Sequence, residues 1–219
     1  MTEESRGTRR RSYRSPRRAE QARLTRRAIL DAALPLFIER GYAGTSMPDI
    51  ARKAGVALPT VEAAFGTKVK LLMALRDVTI VGDDEAIPVA ERSWFREMLD
   101  EPDPHRQLHR FAEVTCRVKR RTARLNEVIR RAAPSDPEIG QVWQEVQEQL
   151  MADHRLVVER LAANGVLREE LDVEQATKIL WLLNHPSVHY LATVEGGWSE
   201  EDFEQWVAAA LTHQVLREQ

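Results

Sequence analysis

The sequence predicts an all-α fold of about nine helices, and three observations carry that prediction. Alanine, leucine, glutamate and arginine, all strong helix formers, account for 98 of the 219 residues. Glycine and proline, which punctuate helices, total only 20. Apolar residues recur at three- and four-residue steps between recognisable start and stop signals. The single cysteine, Cys116, allows no internal disulfide and no zinc ribbon, which fits a reducing compartment. The longest apolar runs, such as Leu71 to Leu75 and Trp206 to Leu211, fall far short of the roughly 18 to 20 residues needed to cross a bilayer.

The first periodic stretch starts at about Ala22. Leu24, Ala28, Ile29, Ala32, Ala33, Leu36 and Phe37 form one stripe, and Gly41 is placed to end the helix after Arg40. Ser46 and Asp49 make a capping-box pattern with Pro48 in the first turn, so a second helix is expected from about Met47 to Ala54, ended by Gly55. A short third helix follows from about Leu58 to Phe65, with Val61 and Phe65 inward. Val69 to about Val81 reads as a linker helix, and Asp100 to Pro104 as a break. His105 to about Ala133 and Asp136 to Asn164 are two long helices, the second closed by Gly165. Asp172 with Gln175 caps a helix expected to reach about Thr193 with a kink at Pro186, and Ser199 with Asp202 caps the last.

Charge divides the chain. Residues 1–70 carry a net charge of +8 and the remainder −10, within an overall −2. Such an asymmetry directs the basic end toward a polyanion, either nucleic acid or an anionic membrane surface, while the acidic part keeps the protein soluble. Ten arginines fall within the first 27 residues. Residues 1–20 are expected to be a disordered basic arm, followed by a helical unit over residues 21–68 and a larger, acidic helical unit over residues 69–219. The twin Arg9-Arg10 is followed by no apolar stretch, which argues against a secretion signal. Arg17 and Arg18 of the arm, with Arg23 just beyond it, are candidate contacts to phosphates or to the minor groove.

Two short helices joined by a tight glycine turn, with a third in support, form the helix-turn-helix pattern. Ala51 is small where the helices cross, Gly55 can adopt the left-handed turn, and Val61 fills the angle between them. The residues Ile29-Leu30-Asp31-Ala32-Ala33, Leu36 through Tyr42, Thr45-Ser46, Asp49-Ile50-Ala51, Ala54-Gly55-Val56, Thr60, Phe65 and Lys68 together resemble the N-terminal domain of the TetR family of bacterial transcription regulators. The stretch from Ile179 to Asn184 through Gly197-Trp198 is similar to the C-terminal part of an actinobacterial-type branch of those regulators. The resemblance implies a homodimer, one helix-turn-helix per protomer within a DNA-binding domain of residues 21–68, and a helical domain of residues 69–219 for effector binding and dimerisation, with an effector pocket.

It also implies site residues. The family pattern assigns phosphate contacts to Thr45, Thr60 and Lys68, with Ser46 beside them, and base reading to the exposed start of the third helix. There, Ala57, Leu58, Pro59, Glu62 and Ala63 are the candidates, apolar groups for thymine methyls and a carboxylate able to accept from a cytosine amino group. The chain departs from the family at Glu62 and Ala64, where tyrosine is common, and at Ala57, where a polar cap is.

For the C-terminal half, a ligand pocket between helices is expected at Trp94, Met98, Phe111, Cys116, Trp143 and Trp181. A dimer seam on the last two helices, where the resemblance puts it, is expected at Leu191, Trp198, Trp206, Val207 and Leu211. The pairs His105/His109 and His185/His189 have the spacing of metal ligands but lack a third partner, so they read as histidines at a helix surface or an interface. No catalytic motif and no cofactor site emerge. The expected function is a ligand-responsive transcription regulator, a repressor on a palindromic operator, with double-stranded DNA, a second copy and an unknown small-molecule effector as partners, in the cytoplasm on the nucleoid. The alternative is a helical enzyme or metal-binding protein whose basic arm meets nucleic acid or a membrane surface.

Overall fold

The computed structural model describes residues 16–81 and 92–217. Helix α1 spans Pro16–Arg40, α2 Met47–Ala54, α3 Leu58–Phe65 and α4 Lys68–Val81. Then come α5 (Ser93–Leu99), α6 (Pro104–Ala132), α7 (Pro137–Ala163), α8 (Val173–Leu183), α9 (Pro186–Tyr190) and α10 (Glu200–Val215). Helix α9 runs on into a π-helical turn, Leu191–Glu195. Counting α8 and α9 as one interrupted helix gives nine among the described residues, in line with the expected number, with α5 the one whose bounds the sequence does not predict. Pro186 divides that helix outright: Asn184 ends α8, and the His185 side chain accepts from the Ser187 amide to cap α9.

Helix α1 starts at Pro16, so residues 16–20, expected in the disordered arm, form its first turns and carry Arg17 and Arg18 in helical register. Arginine is itself a good helix former, and proline at the first helical position loses no hydrogen bond. Residues 1–15 lie outside the described residues. At the other caps the sequence signals are met locally. Ser46 accepts from the Asp49 amide, Asp136 from the amides of Glu138 and Ile139, Asp172 and Gln175 form a capping box, and Ser199 accepts from the Asp202 amide.

Two apolar cores hold the helices. The first gathers Ile29, Phe37, Ile50, Ala51, Val61 and Leu72 from α1–α4 and continues into Leu125 and Ile129 of α6 and Ile139 of α7. Helix α1 thus packs directly on α6, and α4 joins α1 and α3 to α6 and α7. The second core joins Phe95 and Met98 of α5, Phe111 and Cys116 of α6, Val157 and Leu161 of α7, Leu180 of α8 and Phe203, Val207 and Leu211 of α10.

Candidate functional site

The helix-turn-helix is set by a few short-range devices. Gly55 takes the left-handed conformation (φ 68°, ψ 27°), and its amide and that of Val56 bond back to Arg52 and Ala51. A side chain there would be strained by the positive φ alone, since no atom crowds the position. Val61 is fully buried and Ala51 nearly so where α2 and α3 cross. Helix α3 begins without a side-chain cap, because Ala57 has none to offer. Outward from this frame, Ala57, Pro59, Thr60, Glu62 and Ala63 are exposed on one short helix and Leu58 is half-buried. Arg17 and Arg18 are exposed on the first turn of α1, and Arg23 is ion-paired with Glu20 at 2.9 Å. Ser46 is exposed and holds the α2 cap.

Two of the residues expected to touch phosphate are engaged inside the protein. Thr45 is 1% exposed, and its hydroxyl lies 3.0 Å from the Leu36 carbonyl and 2.8 Å from that of Gly41. Its single proton is therefore used within the α1–α2 corner. Lys68, at the start of α4, donates to the carbonyls of Tyr42 (2.9 Å) and Thr45 (3.0 Å) and lies 3.9 Å over the Tyr42 ring. Burial holds its ammonium below the usual lysine range. Lys68 is thus a clamp between α4 and the helix-turn-helix. A second clamp, from α1 to α3, is Arg26, which donates to the Ala64 carbonyl at 3.0 Å and stacks 4.2 Å over Phe65.

The body of the molecule encloses a cavity of about 320 Å³ between α4, α5, α6, α7 and the α8–α9 junction. Trp94, Met98 and Phe111, three of the expected pocket residues, line it together with Phe95 and Ile80. Cys116, Trp143 and Trp181 do not. Cys116 lies on the opposite side of α6, fully buried in the second core with α10, and burial pushes its thiol up. Trp143 and Trp181 pack edgewise on His185 instead (6.1 and 4.9 Å).

What the sequence reading missed is the polar part of this wall. On α6, Thr115, Lys119, Thr122 and Asn126 continue the stripe begun by Phe111 at steps of four, four, three and four, and all line the cavity. That spacing was legible, as polar residues on an inward helical face. Lys119 is 4% exposed and donates to Asn184 Oδ1. Burial without a carboxylate partner lowers its pKa to about 8. Asn184 Nδ2 donates to His154 Nε2 at 3.0 Å, and His154 Nδ1 donates to the Leu150 carbonyl, which fixes a neutral imidazole. Burial takes that histidine down to about 4. On the α4 side, Arg76 donates to Asn126 Oδ1 at 3.3 Å, and Asp153 accepts from Gln149 at 2.9 Å. Burial lowers the pKa of Arg76 and raises that of Asp153.

Of the expected seam, Leu191, Trp198 and Trp206 are exposed at 57, 44 and 38%, and Trp198 and Trp206 meet edge-on at 5.7 Å. Val207 and Leu211 are not available to a partner: both are fully buried, on the α10 face turned toward the second core. Among the histidines read as surface or interface groups, His189 is 1% exposed and donates to Glu200 at 2.8 Å. Among the described residues no three His, Cys, Asp or Glu side chains are grouped to hold a metal ion, and no helix is long and apolar enough to cross a membrane.

Comparison with known proteins decides the family. Residues 29–75 match the bacterial regulatory proteins of the tetR family. ArpR of Pseudomonas putida is 30% identical over 197 residues, which cover 82% of this chain and 90% of the relative. The chain belongs to the TetR family. A second relative from Pseudomonas putida, the HTH-type transcriptional regulator TtgR, is 29% identical over the same shares of both chains. Among solved structures, the SmeT–triclosan complex superposes with a TM-score of 0.70 at 17% identity, covering 89% of this chain and 93% of that one, which supports the fold. This protein is therefore a helix-turn-helix transcription regulator of TetR type.

Proposed function

We propose that this TetR-family regulator is a repressor that binds a palindromic operator as a homodimer and leaves it when a small molecule fills the cavity. The observation that carries the proposal is α4. Its first residue, Lys68, is bonded into the α1–α2 corner of the reading head, and Arg76, Asp77 and Ile80 near its other end line the cavity. A ligand that favours one setting of α4 shifts the population between operator-competent and incompetent dimers. SmeT, whose fold this chain shares, was solved as a complex with triclosan.

In this reading α3 enters the major groove, with Ala57, Leu58, Pro59, Glu62 and Ala63 facing base edges and Thr60 and Ser46 facing phosphates. Arg17, Arg18 and Arg23 extend the phosphate contacts along α1. The seam is the apolar surface of Leu191, Trp198 and Trp206, together with Leu182 and Val194, which are 58 and 37% exposed. The chain acts as a binding protein in the cytoplasm, on the nucleoid, and not as an enzyme, a reading that rests on the family.

Selecting random duplexes on the purified protein at about 150 mM salt tests the proposal. A palindromic consensus is expected. Retained DNA without a consensus would leave a phosphate-binding protein that does not read sequence, and a monomer in light scattering at micromolar concentration would overturn the seam. On the selected duplex, changing Arg17 and Arg18 together to alanine removes two contacts from each protomer and should reduce the slope of log K against log salt by about three to four per dimer.

A further inference from the structure

We infer that the cavity takes an organic anion: a molecule with an apolar aromatic or alkyl body and one carboxylate or phenolate head, the head seated on Lys119 and the body against Trp94, Phe95, Met98 and Phe111. The inference rests on the cavity being the effector site and adds the chemical class of what enters it.

The charge distribution along the wall is the ground for it. Lys119 lines a cavity whose α5 side is apolar and aromatic, and its ammonium is bonded to Asn184, another residue of that wall. Among the described residues, no carboxylate comes within ion-pairing distance of that ammonium: its hydrogen-bond partner is the Asn184 carbonyl oxygen, and the Phe203 ring lies 5.6 Å away. The other polar groups bonded to the Asn184 side chain are neutral. They are the Thr115 hydroxyl of α6, 3.0 Å from Asn184 Oδ1, and the His154 imidazole of α7, held uncharged by its two hydrogen bonds. Glu200, the acid that acts on Lys119 from α10, is already bonded to His189 at 2.8 Å and lies 3.7 Å from Arg120.

The cavity's own carboxylates, Asp77 and Asp153, act on Arg76 instead, so both acids sit beside the guanidinium on one side and the Lys119 side carries a positive charge with no acid of its own. A buried cation without a counter-ion is costly, and proteins rarely retain one unless something binds to it. A carboxylate on Lys119 supplies the missing charge and accepts one of its remaining N–H groups. The volume, about 320 Å³, is at the lower end of ligand sites and suits a compact single-headed molecule.

Isothermal titration of the full chain tests this with three matched pairs, octanoate, 4-phenylbutyrate and 2-naphthoate, each against its uncharged primary amide. At pH 7 at least one acid is expected to bind about tenfold to a hundredfold more tightly than its amide, the size of a buried charge-assisted hydrogen bond. Lys119→Met should abolish that preference while leaving the amide's affinity within a few fold. Lys119→Gln, which keeps a donor toward Asn184, should do the same and serves if the methionine variant does not fold. Val114→Phe, which narrows the cavity from a half-exposed position, should weaken both members of the pair.

Acid and amide binding equally, with both weakened by Val114→Phe, would overturn the anion inference and leave the effector cavity standing. A preference that survives in both Lys119 variants would overturn Lys119 as the seat. No binding by any of the six probes at millimolar concentration would overturn the inference and the cavity's role together.

Discussion

The reading head and the cavity differ in how far along the chain their parts are drawn. Helices α2 and α3 take their ends from residues inside or next to them: Ser46 caps one, and Gly55 and Gly66 close the two. The cavity instead assembles Arg76, Lys119, His154 and Asn184 from α4, α6, α7 and the end of α8. The head is also packed solid around Phe37, Ile50 and Val61, whereas the cavity leaves a space and lines part of it with buried polar groups. A helix held out from a solid core is rigid, whereas the proposed ligand site combines empty volume with buried charged groups whose hydrogen-bond partners are neutral amides.

That contrast can be broken by stability measurements. The largest effect is expected for Phe37→Ala. Phe37 is fully buried and stacks on Tyr42 at 6.2 Å, so its removal should cost about 3 to 5 kcal/mol in chemical denaturation. Phe111→Ala, equally buried but facing the cavity, should cost less, because part of its ring already lacks partners. Equal losses at the two sites would remove the distinction between a solid head and a hollow body.

Next in size is Lys119. Its pKa is about 8 in the fold and near 10.5 when the chain unfolds, so the folded state resists protonation. The resulting destabilisation, up to roughly 3 kcal/mol, is complete below pH 8 and disappears as pH rises toward 10.5. Lys119→Met should therefore be more stable than the parent at pH 7, with the difference closing between pH 8 and 10.5. A difference independent of pH would show that the lysine is not buried as a cation.

His154 works in the other direction along the pH scale. It stays neutral in the fold down to about pH 4, whereas the unfolded chain takes up a proton near 6.5. Stability should fall as pH drops from 6.5 to 4, by up to about 3 kcal/mol from this residue, and His154→Gln should flatten that part of the profile. The smallest change expected is a gain in the head. Ala57→Ser would supply the cap α3 lacks and raise stability by about 1 kcal/mol, read as an upward shift in Tm.

The same difference in range explains what the sequence revealed. The bounds of α2 and α3 follow from Ser46, Pro48 and Gly55, whose effects reach no further than one helical turn. The sequence predicts α1 only from about Ala22, because its arginine-rich start reads as a solvated arm, although arginine favours helix and Pro16 suits a first turn. For the cavity, residue type alone points to Cys116, Trp143 and Trp181, yet Cys116 packs in the second core with α10 and both tryptophans pack on His185. The resemblance places a seam on the last two helices and so brings in Val207 and Leu211, but these lie on the α10 face that turns inward. Nor did residue type reveal that Thr45 and Lys68 have internal partners, since a hydroxyl or ammonium at a helix start serves a carbonyl as well as a phosphate.

The clamp at Lys68 has a mechanical consequence. Helix α4, with 14 residues, is about 21 Å long, so a tilt of about 5° about its cavity end swings its first turn by about 2 Å. A loose lysine would take up that displacement in its own four-carbon stem. Held by two carbonyls and the Tyr42 ring, it passes the displacement to the corner that carries α2 and α3. The helix is a stiff lever with one end in the cavity wall, and the reading head is the load it moves as one piece.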